Sequence, residues 1–155
     1  MKLSRRHIAA ALALSAVFTL PAIAQDRGTR DDAKALNDAA VAHIKKVGLD
    51  QAVKDFSADK AKWAPKDIFP FVQEFSGVMR FHINEKMIGK NFLEVKDASG
   101  KEFAKEMIGI ARAPKATGWV DYEWSHQVTK KIEDKTSYIQ RVPGAEMFVG
   151  VGIYR

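Results

Sequence analysis

Apolar residues recur at three- and four-residue spacing through residues 31–47, at Ala33, Leu36, Ala40, Ile44 and Val47. That spacing marks one face of a long helix. Asp31 and Asp32 at its start and Lys45 and Lys46 at its end complement the helix dipole, and Gly48 suits a left-handed cap. Asp50 opens a shorter helix with Ala52, Val53 and Phe56 inward, and 57–66 reads as a charged connection holding Trp63. The period then changes. Residues 68–74 and 78–82 are strand-like runs about a Ser76-Gly77 turn. Pro70 has no N–H to offer a sheet, which predicts an edge strand or an adjoining bulge. Residues 84–95 are irregular, with Gly89 as a bend, and 97–100 form a turn. Residues 101–113 return to helical spacing, with Phe103, Met107, Ile110 and Ala111 inward and Pro114 as a stop.

Three strand-length runs follow, at 118–125, 135–142 and 147–154. Aromatic and β-branched residues dominate them, as strands prefer. Alternation puts Val120, Tyr122 and Trp124 on one face and Trp119, Asp121 and Glu123 on the other. The order is helix, helix, two strands, loop, helix, three strands. That order predicts an α+β fold with about five antiparallel strands.

The first 24 residues stand apart. Lys2, Arg5 and Arg6 precede an apolar run over 8–20, and Ala22-Ile23-Ala24 is a small-x-small cleavage site. This is the pattern of a secretory signal peptide, with a hydrophobic run shorter than the roughly 20 residues that span a bilayer. Ser4-Arg5-Arg6 leaves the general secretory and twin-arginine routes both open. The expected domain is therefore 25–155, periplasmic or secreted, with no further membrane span. It carries 22 Lys and Arg against 19 Asp and Glu, a net +3 where the whole chain has +6. Much of the basic excess leaves with the leader, so nucleic acid is not an expected partner. There is no cysteine, which excludes disulfides, cysteine zinc sites and thiol nucleophiles. No G-x-S-x-G, HExxH or phosphate-cradling glycine loop occurs, and no enzymatic activity, metal or cofactor is expected.

Several segments together carry a resemblance: Phe69-Pro70-Phe71-Val72 before Ser76-Gly77, Ile88-Gly89-Lys90-Asn91, Asp97 with Gly100-Lys101 and Phe103, Gly118-Trp119-Val120-Asp121-Tyr122-Glu123-Trp124, Lys135 with Tyr138, and Gly150-Val151-Gly152-Ile153-Tyr154. In this order and spacing they resemble the type 2 single Cache domain, an extracytoplasmic sensor module. The resemblance implies a PAS-like fold: a central sheet, a long N-terminal helix on one face and a ligand pocket on the other. It also implies a small organic ligand, often a short carboxylate, and a membrane-bound receptor or kinase partner. The chain reads as a stand-alone periplasmic member. It departs from the family at Ile83 and at Ser125-His126, where the family often has proline and Asn-Pro. The alternative reading is an interaction module, dimeric through the long helix, with a degenerate pocket.

Candidate ligand contacts are Phe71, Arg80, His82, Trp119, Tyr122, Trp124, Lys135 and Tyr138. Tyr and Trp join an apolar body to one polar donor, which suits either a pocket wall or a core. An arginine can hold a carboxylate by two parallel bonds, and a histidine can donate to an anion or cap backbone. Arg80 and His82 fall on one face if the strand is regular. Lys135 in a closed pocket needs an anionic partner; on a strand edge it needs none. Regular alternation sets Lys135 and Tyr138 on opposite faces. They share one pocket only if the strand bulges or if Lys135 precedes the pairing.

Overall fold

The computed structural model describes residues 27–155; the signal-peptide reading of 1–24 lies outside the described residues. Helix α1 spans Arg30–Val47, and helices α2 (Leu49–Ala58) and α3 (Lys60–Trp63) follow it. Thr29 caps α1: its hydroxyl accepts from the Asp32 N–H at 3.1 Å, while the Asp32 carboxylate accepts from the Thr29 N–H at 2.9 Å. This reciprocal pair satisfies two N–H groups that a helix start leaves over. The connection expected at 57–66 contains α3, which buries Trp63.

The strands are β1 (Pro70–Glu74), β2 (Met79–Phe81), β3 (Thr117–Ser125), β4 (Ile132–Arg141) and β5 (Met147–Tyr154). They form one antiparallel sheet ordered β2-β1-β5-β4-β3. Pro70 is thus not on an edge strand. It precedes the short β1–β2 pairing, which starts at Val72, and the neighbouring bulge is present. Helix α4 (Phe103–Arg112) buries Phe103, Met107 and Ala111 as expected, with Ala104 and Ile108 beside them, while Ile110 is only partly buried against the same layer.

The sheet divides two apolar layers. On one side α1–α3 pack on Val72, Phe81, Val149, Val151 and Ile153. On the other, α4 and the 84–95 loop cover Phe71, Val120, Tyr122, Ile139 and Phe148. Strand alternation thus assigns every side chain of β3, β4 and β5 to one layer or the other. The apolar stripe of α1 is spent on the sheet, and its remaining positions are mostly charged and exposed. No helix among the described residues is long and apolar enough to cross a membrane.

Candidate functional site

Lys135 sits in β4, paired with Tyr122 of β3 and Tyr154 of β5, on the face toward α4. Only 2% of it is exposed. Its ammonium lies 4.7 Å from the Tyr154 ring centre and 5.0 Å from that of Phe69. It makes no hydrogen bond or ion pair with any described residue. Burial lowers its pKa from 10.5 to about 7, against the opposing pull of the Asp67 carboxylate. Space for this side chain comes from β5. A Cβ on Gly152 would overlap Lys135 Cε, just as one on Gly150 would overlap the Phe71 ring.

Lys135 closes one end of a cavity lined also by Phe71, Gln73, Met79, His82 and Tyr122, with Phe92, Phe103, Met107 and Trp124 completing the wall. The space open to the centre of a water-sized sphere is about 20 Å³, room for about one water. His82 Nδ1 accepts the Asn84 N–H at 3.0 Å, which places the ring proton on Nε2. Burial first, then the charge of Lys135, lowers the His82 pKa from 6.5 to about 4. The histidine is therefore a neutral donor at pH 7. The Tyr122 hydroxyl lies 3.0 Å from Ser137 Oγ, and its ring stacks on Phe103 at 4.8 Å. Burial raises the Tyr122 pKa, so the phenol stays protonated. The site thus presents one desolvated amine, one neutral imidazole N–H and one phenol among apolar walls. Such a set favours a small ligand with one anionic end.

Of the eight candidate residues, Phe71, His82, Tyr122, Trp124 and Lys135 meet at this cavity. Arg80, Trp119 and Tyr138 do not. Val72 faces Phe81 and Gln73 faces Met79 across β1 and β2, so Arg80 is the extra residue of a bulge. It points outward and donates to Glu74 at 2.6 Å. The bulge also breaks the expected shared face of Arg80 and His82: Met79 reaches the cavity, Phe81 packs on Phe56, and His82 returns to the cavity. β4 is regular from Lys135 onward, so Tyr138 lies opposite Lys135, on the α1 side. There it pairs with Trp119, over which the Arg30 guanidinium lies at 4.5 Å. Gln73, Met79 and Phe92 escaped the sequence reading, and Phe103 and Met107 were read as core; only their tertiary placement marks them. Among the described residues no group of three or more His, Cys, Asp or Glu could hold a metal.

The Cache domain family model matches residues 32–155. The chain belongs to the Cache domain family. Residues 32–155 form one Cache sensor module, and Cache domains sense rather than catalyse. Solved structures share the fold. A methyl-accepting chemotaxis protein from Vibrio parahaemolyticus superposes with a TM-score of 0.69 at 20% identity, over 80% of this chain and 86% of that one. A Cache chemosensory domain solved for its carboxylic acid recognition gives 0.67 at 21% identity, over 80% and 91%. The periplasmic sensor domain of a chemotaxis protein gives 0.63 at 23%, over 80% and 88%. This Cache domain is therefore α+β and PAS-like, with α1 and the cavity on opposite faces of the sheet, as the family resemblance implied.

Proposed function

We propose that this Cache domain senses a short-chain carboxylate outside the cytoplasm and acts through a membrane-bound receptor or kinase. One observation carries the reading: Lys135 is a buried amine at a cavity, with no counter-ion within hydrogen-bonding reach among the described residues. A carboxylate there would be held by the ammonium and by the His82 Nε2–H, with its alkyl end against Phe71, Phe92 and Phe103. The structurally similar Cache chemosensory domain that recognises carboxylic acids supports the ligand class. The expected leader and the family support the location. The free volume alone holds about one water, so an acid of about two or three carbons requires half-buried Trp124 to give way.

Thermal melts against acetate, propionate, pyruvate, amines and urea test this reading. An acid at about 100 times its Kd should add roughly 2.7 kcal/mol. Lys135→Met should abolish that gain while raising the stability of the unliganded protein by about 1–3 kcal/mol, because a desolvated amine becomes an apolar chain of similar length. Undiminished acid binding by Lys135→Met would overturn the proposal. The same small volume favours a second reading, an interaction module with a degenerate pocket, and the absence of any shift across the panel would select it.

A further inference from the structure

A second cavity is lined by Phe69 and Tyr154, the two rings that lie beside the Lys135 ammonium. It is bounded by the 64–69 segment, Ile83 and the turn joining β3 to β4. Its space for the centre of a water-sized sphere is about 160 Å³, against about 20 Å³ in the first cavity. Ile68, Phe69, Ile83, Val128 and Tyr154 make its lining mostly apolar. Val128, 65% exposed, is an apolar side chain left at the surface beside it.

One polar group in this wall with an unused donor is the deeply buried His126, which is 2% exposed. Its Nδ1 accepts the N–H groups of Val128 and Thr129, both at 3.2 Å. The proton therefore resides on Nε2, which has no partner among the described residues. Neighbouring charges decide what this donor can take. The Asp67 carboxylate lies in the same wall, with Oδ1 held by the Gly28 N–H at 2.7 Å and Oδ2 buried without a hydrogen bond. That carboxylate, which also attracts Lys135, opposes an anion in this cavity. The Lys66 ammonium is directed to Asp32 at 2.8 Å. The Tyr154 hydroxyl is already donating to the Ser125 carbonyl at 2.9 Å.

We propose that this cavity is a second ligand site, specific for a small neutral carbonyl compound whose oxygen accepts from His126 Nε2–H and whose hydrocarbon body fills the apolar space. Its volume suits a ligand of about six to eight heavy atoms. It is separate from the carboxylate site and does not depend on Lys135.

Cyclohexanone is a suitable probe, titrated into the protein by calorimetry and by ¹H–¹⁵N NMR. Saturable binding is expected, with the largest shifts at the amides of residues 126–129 and at the His126 ring nitrogens. His126→Asn keeps an acceptor for the Val128 and Thr129 N–H groups but removes the Nε2 donor. It should weaken cyclohexanone at least about tenfold and leave the fold and acetate binding unchanged. Lys135→Met should leave cyclohexanone binding intact. The proposal is overturned if no saturable shift occurs up to the solubility limit, or if His126→Asn binds equally well. It is also overturned if Lys135→Met removes the response, which would place the probe in the first cavity.

Discussion

Lys135 shows how one residue's surroundings change its chemistry. An exposed lysine is a solvated charge; here aromatic rings replace water and leave the ammonium short of a counter-ion. Gly152 is what permits this, because its missing side chain is the space Lys135 occupies. Gly152→Ala should therefore push Lys135 aside. We expect a stability loss of about 1–3 kcal/mol together with loss of acid binding, read by denaturant melts and calorimetry. Wild-type affinity in Gly152→Ala would show that the position of Lys135 does not matter to the ligand. The lysine and the glycine were both visible in the chain. Their contact was not, since it joins neighbouring strands through a register that no local pattern encodes.

At the scale of elements, two irregularities place the site. The bulge at Arg80 turns His82 toward the cavity and Arg80 away from it. A bulge adds one residue without altering composition, so reading the 78–82 run as regular set both on one face. The second is Asn37, wholly buried in the apolar stripe of α1. Its Nδ2 donates to the carbonyls of Tyr138 and Val149 at 3.0 Å each, tying α1 to β4 and β5 across the sheet from Lys135. Asn37→Ala removes both bonds, together with an Oδ1 that has no partner among the described residues, and should cost about 1–2 kcal/mol in urea unfolding. A change below about 0.5 kcal/mol would show that water replaces the amide.

Across the whole molecule, Lys135 and His82 make both stability and binding depend on pH. Lys135 has its pKa lowered from 10.5 to about 7, so in that range the unfolded chain holds more protons than the folded one. Stability must then rise as pH increases from about 7 to about 10.5. His82 acts likewise between about pH 4 and 6.5, where stability falls as the solution is acidified. An anion beside Lys135 favours its charged form, so acid binding should take up a proton above pH 7. Affinity for acetate should fall by up to about tenfold per pH unit there. Calorimetry in two buffers of different ionisation enthalpy measures that uptake; no proton uptake at pH 8 would mean the carboxylate does not meet Lys135.

Much of this protein was legible from periodicity. The 3.6-residue period located α1 and α4, aromatic and β-branched runs between turns located β3 to β5 with β4 starting three residues earlier than its run, and alternation put Tyr122 and Trp124 opposite Trp119 and Lys135 opposite Tyr138. These are local consequences of backbone geometry and need no partner to be read. The cavity is different in kind. Phe103 and Met107 look like any buried helical stripe, and Gln73 like any strand residue, until α4 and β1 are docked on the same face of the sheet. Which buried residues touch a void, and which cation lacks a counter-ion, depends on contacts between segments far apart in the chain. Those contacts exist only once the sheet has closed, and that is why the elements could be named from the sequence while the site had to be found in the fold.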